Sequence, residues 1–227
     1  MEFIKIYPKA LIVFMTLLFV ACGGGIKDDA GKHDDAQGGE QRSGGAESTE
    51  VADVPLELIP NPYLANTPSV SRKAKEEFAS ATVAMDAKQW KQAEGLLRLM
   101  TETYPKLSGP YVNLGISLYQ LQDLEGAEQS LQTAISVNGS NMDAYTWLGT
   151  LYREQGRFED AEQAYLAALA VWPHHAESHR NLGILYDLYM GRFEEALQHY
   201  KMLQRLSPEE DRQVKGWIKD LERRLAQ

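Results

Sequence analysis

Three histidines, His174, His175 and His179, stand close together with Glu177 among them. Imidazoles four apart on a helix share a face, and a carboxylate beside them completes a donor set for zinc. The surrounding residues argue the other way. His174 and His175 follow Pro173, where a helix stops and polar side chains meet water, and no second group with ligand spacing accompanies them. The expectation is a solvated turn and no metal. His199 lies beside an interior position of a later helix and is expected to pack there. The carboxylate pairs Glu159-Asp160 and Glu194-Glu195 fall at helix starts, where a charged face accounts for them. No nucleophile-elbow glycine-serine pattern and no phosphate-cradling glycine loop opens a helix, so no catalytic residue and no cofactor are expected.

The only cysteine, Cys22, closes an apolar run from Ala10 to Ala21 that follows Lys5 and Lys9. As a helix that run would span roughly 18 Å against a hydrocarbon core of about 30 Å, so residues 1–21 read as a signal peptide rather than a spanning anchor. Leu18-Phe19-Val20-Ala21-Cys22 resembles a bacterial lipobox, with Phe19 where the pattern usually has Leu. The resemblance implies that Cys22 is lipidated and becomes the new N-terminus. With Gly23 rather than Asp after it, analogy favours the outer membrane of a Gram-negative envelope, facing the periplasm. A chain without a second cysteine forms no disulfide there.

The 227 residues carry a formal charge of −9, which argues against nucleic acid or anionic lipid as the main partner. Residues 23–53 are rich in Gly, Asp, Glu, Ser and Gln and cannot bury enough surface to offset their ordering entropy. With Cys22 they are expected to form a disordered tether (22–53), with an end-to-end distance of roughly 30 Å. Residues 54–73 open with Val-Pro-Leu-Glu-Leu-Ile-Pro-Asn-Pro-Tyr, whose prolines favour an extended segment. It is expected to cover the first repeat, or else to occupy a groove in its own array or a neighbour's.

The elements that would position any site follow from a 34-residue period. Gly115, Gly149 and Gly183 keep that step, as do Ala93, Ala127 and Ala161, with Ala196 after 35. A unit this short cannot bury its own apolar face, so neighbours must stack to share a core. The register is 74–107, 108–141, 142–175 and 176–210, each unit two amphipathic helices, with a capping helix over 211–227. The fourth unit carries one extra residue near Asp187 to Arg192, which predicts a longer turn.

In the third unit Tyr145, Leu148, Gly149, Tyr152, Phe158, Ala161, Tyr165, Ala168 and Pro173 resemble the signature of the tetratricopeptide repeat. The others match it partially, through Leu114, Gly115, Ala127 and Ala134, through Leu182, Gly183, Tyr186, Ala196 and Pro208, and through Trp90, Ala93 and Pro105. The resemblance implies an all-α, right-handed superhelix whose first helices line a concave groove. There it places Phe78, Val112, Asn113, Ile116, Tyr119, Thr146, Thr150, Arg153, Arg180, Asn181, Ile184 and Asp187 toward a protein or peptide partner. Asn113 and Asn181 can each bond both sides of a peptide backbone, although Trp147 interrupts that ladder. Similar lipoproteins serve pilus-secretin assembly, cell-wall hydrolases or TonB-type complexes. The function expected is a non-catalytic envelope adaptor, with a self-associating structural subunit as the alternative.

Overall fold

The computed structural model describes residues 58–65, 69–207, 209 and 211–227, which belong to one compact unit, Asp53–Gln227. The signal peptide, Cys22, the tether and residues 54–57 lie outside the described residues. After a single turn, α1 (Pro62–Ala65), the chain forms four helix pairs. They are α2 (Arg72–Asp86) with α3 (Trp90–Thr103), α4 (Ser108–Gln120) with α5 (Leu124–Val137), α6 (Met142–Glu154) with α7 (Phe158–Val171), and α8 (Ala176–Ile184) with α9 (Phe193–Leu206). Helix α10 (Arg212–Leu225) follows them. The all-helical solenoid expected from the period is the observed fold.

Side-chain caps mark several starts. Ser71 accepts from the Ala74 N–H at 3.1 Å, Asp123 from Gly126 at 3.0 Å, and Asp211 from Gln213 at 2.9 Å, each satisfying a donor the helix leaves open. Within each pair, one left-handed residue turns the chain. Lys88, Gln122, Gly156 and Gly191 have φ of 57°, 65°, 75° and 65°. Glycine adopts that conformation freely, whereas Lys88 and Gln122 bear the steric cost of a Cβ there.

The extra residue of the fourth unit does not lengthen its turn. It is absorbed one step earlier, where α8 runs on as a π-helical segment, Leu185–Met190. In the first three turns the closing N–H reaches back five residues, as from Arg157 to the Tyr152 carbonyl at 2.9 Å. In the fourth, Arg192 reaches back six, to Tyr186, at the same 2.9 Å. The turn is thereby conserved, and Leu188 and Tyr189 lie exposed on the wider coil.

Each landmark glycine is a close helix crossing. A Cβ at Gly149 would stand 2.6 Å from Tyr165 Cε1, one at Gly115 would stand 2.7 Å from Leu131 Cγ, and one at Gly183 would collide with Tyr200. Leu131, Tyr165 and Tyr200 are themselves buried, so each unit locks a large second-helix side chain against the backbone of its first helix.

Between units, a polar staple recurs. The Tyr152 hydroxyl donates to Glu128 at 2.9 Å and Arg157 lies 4.0 Å over the Tyr152 ring while bonding Glu128 at 3.3 Å. One period on, Tyr186 donates to Glu162 at 2.6 Å, and Arg192 stacks at 4.4 Å and bonds Glu162 at 2.7 Å. Leu118 and Asp123 hold the corresponding places in the second unit, so the first junction lacks the staple.

Each first helix also touches the next one, α2 to α4 to α6 to α8, whereas successive second helices hardly meet. The stack therefore curves toward its first helices. Helix α10 closes the far end by burying Val214, Ile218 and Leu221, with Trp217 tilted 5.0 Å from Tyr200.

Residues 58–65 depart from the expected cover over the first repeat. Ile59 bonds Trp172 and His174, at the junction of the third and fourth units, and residues 62–65 are helical rather than extended. The reason is chemical: Trp172 and His174 offer a side-chain donor and an acceptor to a main chain that has no sheet to join.

Candidate functional site

The inner face of the first helices carries an aromatic centre. Tyr119 on α4 and Trp147 on α6 stand 6.3 Å apart with planes tilted 56°, both only partly buried, and Ile116 lies one turn before Tyr119. Burial and the nearby Glu154 carboxylate raise the Tyr119 phenol above its usual range, so it remains a neutral donor and acceptor at any physiological pH.

Beside this pair sits Arg153. Its Nη2 donates to Glu154 at 3.1 Å and its Nη1 to Asn181 Oδ1 at 3.3 Å, while its Nε is buried with no hydrogen-bond partner among the described residues. Burial works against its charge, but Tyr165 and Glu154 outweigh it and hold the guanidinium cationic. Tyr189, exposed on the π-helical segment, stands with its ring 5.9 Å from Arg153 and 5.2 Å from Phe158. Leu188 beside it is 69% exposed.

The sequence-derived groove residues divide into three groups. Asn113, Ile116, Tyr119 and Ile184 lie partly open on the first helices. Val112 and Thr146 do not belong to an accessible face: both are buried, and Thr146 bonds the Ser178 hydroxyl at 3.0 Å across the α6–α8 contact. The remainder are engaged within the chain. Phe78 packs over Gly109, Thr150 meets the Tyr165 hydroxyl at 3.2 Å, and Arg180 pairs with Asp211 at 3.4 Å. Asp187 is held at 2.6 Å by Arg224 of α10, which also stacks on Phe193.

The asparagine ladder is reduced further. Asn181 accepts from Arg153 and donates to the Glu177 carbonyl at 2.9 Å, so its amide is already spoken for. The Asn113 side-chain amide has no hydrogen-bond partner among the described residues. Regular helical periodicity does not bring Tyr189 to this face; its place beside Arg153 and Phe158 follows from the π-helical segment. Trp147, which interrupts the asparagine ladder, is itself half of the aromatic pair.

The histidines also contradict the solvated turn. His174, His175 and His179 are all buried. His175 Nδ1 meets the Ser178 hydroxyl at 2.8 Å and its Nε2 lies 3.4 Å from Asp143. His179 spans the Pro173 carbonyl and His199, each at 2.9 Å. His175 and His179 join the third unit to the fourth, and His174 accepts from the Ile59 N–H. Among the described residues no group of three or more His, Cys, Asp or Glu is arranged to hold a metal.

Residues 140–209 and 109–141 each match a family model described as tetratricopeptide repeat. Residues 109–209 are tetratricopeptide repeats. No curated protein matches the chain. Among solved structures, pilF of Pseudomonas aeruginosa is similar at 20% identity and a TM-score of 0.61, over 67% of this chain and 69% of that one. TTC0263, a tetratricopeptide protein of Thermus thermophilus, is similar at 22% identity and 0.59, over 70% and 84%. YrrB follows at 21% and 0.52, over 65% and 74%. At these identities the likeness is one of fold. The tetratricopeptide fold is a protein-interaction scaffold, and its inner face here has the aromatic and polar mixture that such contact uses.

Proposed function

We propose that this chain is a non-catalytic adaptor which holds an extended or helical peptide of a partner protein against the Tyr119–Trp147 face of its repeats. The supporting observation is that aromatic pair, left partly open on a rigid, glycine-locked scaffold beside a charged Arg153. Tyr and Trp supply large contact area with few rotamers to freeze, as binding hot spots require. YrrB is described as having an unusual peptide-binding site, which supports the same class of use for this fold.

The adaptor reading extends to location. The lipobox-like Leu18–Cys22 supports attachment through acyl chains on Cys22 to the outer membrane, with the repeats in the periplasm. The work proposed is assembly of an envelope complex of the pilus-secretin, cell-wall hydrolase or TonB-type class.

Two substitutions separate these elements. Cys22→Ser should release the protein from membrane fractions in cells; continued outer-membrane fractionation would refute the anchor. Affinity capture after in-cell crosslinking should yield a dominant envelope protein with the native chain and lose it with Trp147→Ala. Retention of the partner by Trp147→Ala would move the interface off this face, and recovery of the chain alone would favour a self-associating subunit.

A further inference from the structure

Beneath residues 58–65 lies a polar seam along the edge where each first helix begins. Asn141 donates to the Ser108 hydroxyl at 3.0 Å, His175 lies 3.4 Å from Asp143, and His175, Ser178 and Thr146 are linked in series. It stitches the second, third and fourth units together at an edge separate from the inner face.

Both hydrogen bonds that hold Ile59 there are made by its main chain. The Trp172 indole N–H donates to the Ile59 carbonyl at 2.8 Å, and the Ile59 N–H donates to His174 Nδ1 at 3.1 Å. The two rings stand 6.3 Å apart at 74°, one presenting a donor and the other an acceptor, as a neighbouring strand would. The Ile59 side chain contributes little, being 54% exposed. Pro60 restricts Ile59 to extended conformations, which presents its N–H and C=O on the backbone geometry the two side chains meet. A further foothold lies at the preceding junction, where the Tyr63 hydroxyl bonds Ser108 and faces Asp143.

The two leucines of this segment stand largely in solvent. Leu58 is 64% and Leu64 70% exposed. A permanent part of the core would bury such groups, because apolar burial is what holds a core segment down. This segment is bound as a ligand is bound, through a few directed contacts.

We propose that the first-helix edge of the second to fourth units is a second peptide-binding surface, which grips an extended, proline-flanked segment by its main chain at Trp172 and His174, and that residues 58–63 occupy it as a displaceable internal ligand. The natural competitor is a partner segment of that same chemistry, an extended residue followed by proline with an aromatic residue a few positions on. Main-chain recognition tolerates varied side chains, whereas the linked internal segment has the advantage of high effective concentration. The site is independent of the Tyr119–Trp147 face, so either can fail without the other.

The test uses the full chain and Ile59→Pro, which removes the N–H that His174 accepts while leaving the array intact. A fluorescent peptide with the sequence of residues 54–65 is titrated against both and followed by anisotropy. The peptide should bind Ile59→Pro at least tenfold more tightly than the native chain. Methylating the peptide nitrogen that corresponds to Ile59, or adding Trp172→Phe to the Ile59→Pro chain, should abolish that binding. Melting curves identify any variant that has failed to fold, and the methylated peptide tests the clamp without altering the protein. Equal affinity for the two chains, no binding to Ile59→Pro, or indifference to methylation would overturn the proposal. A native dimer in sedimentation that Ile59→Pro dissolves would overturn internal occupancy in favour of a second copy.

Discussion

His199 donates its Nδ1 proton to Nδ1 of His179 across 2.9 Å. A third group sets that direction. His179 Nε2 lies 2.9 Å from the Pro173 carbonyl, which can only accept, so the neutral ring keeps its proton there and offers Nδ1 as a lone pair. The pair joins α8 to α9 with both imidazoles uncharged. Desolvation, together with the neighbouring His179, pushes His199 down to about 4, and desolvation lowers His179 as well.

This pair makes stability depend on pH with a definite sign. Both folded values lie below the ordinary imidazole range near 6.5, so the unfolded chain binds more protons once pH falls under that value. The contribution is complete above about 6.5 and declines as pH drops toward 4, by on the order of 2 kcal/mol after allowance for partial solvent screening. Thermal melts of the native chain should fall over that window more steeply than those of His199→Phe. Parallel curves would show that the pair does not carry the dependence.

The glycine crossings predict overpacking. At Gly149 an added Cβ meets the Tyr165 ring at 2.6 Å and that ring is buried on all sides, so Gly149→Leu should lose about 1–3 kcal/mol in denaturant unfolding. Gly95, with open space at its Cβ position, is the control: Gly95→Ala should be stabilising by a few tenths to about 1 kcal/mol.

Gln122 predicts the opposite sign at a turn. Its φ of 65° is the conformation that Gly156 holds without a side chain one period later. Gln122→Gly should therefore raise stability by up to about 1 kcal/mol despite the greater freedom of the unfolded chain. A lower melting temperature would show that the unfolded-state entropy prevails.

The inter-unit staples should couple unequally. Arg192 reaches Glu162 at 2.7 Å, whereas Arg157 reaches Glu128 at 3.3 Å. A double-mutant cycle on Arg192 and Glu162 should give about 0.5–1 kcal/mol, and the cycle on Arg157 and Glu128 less, both shrinking in high salt. Equal coupling would remove distance as the deciding variable.

Much of the architecture is legible in the chain because one steric requirement recurs. A helix crossing that admits no Cβ leaves a glycine every 34 residues, at Gly115, Gly149 and Gly183. The same reasoning misses Lys88 and Gln122, since a left-handed turn held by a non-glycine residue leaves no compositional mark. The extra residue of the fourth unit is visible, but its resolution into a π segment depends on which is cheaper, a wider coil or a lost turn. The histidines mislead because their partners are distant: His174 accepts from a residue 115 positions away, and burial of that kind has no local signature. For the groove, periodicity gives the face of a helix but not its depth, so Val112 and Thr146 look equivalent to Ile116 and Thr150.

A partner held in the way proposed meets the Tyr119–Trp147 face. The most direct measurement places a photo-crosslinking amino acid singly at Tyr119 and at Leu166, which is exposed on the second helix of the third unit, in the full chain in living cells. A defined adduct with another protein is expected from Tyr119 and none from Leu166. Adducts of the same protein from Leu166 alone would contradict that expectation.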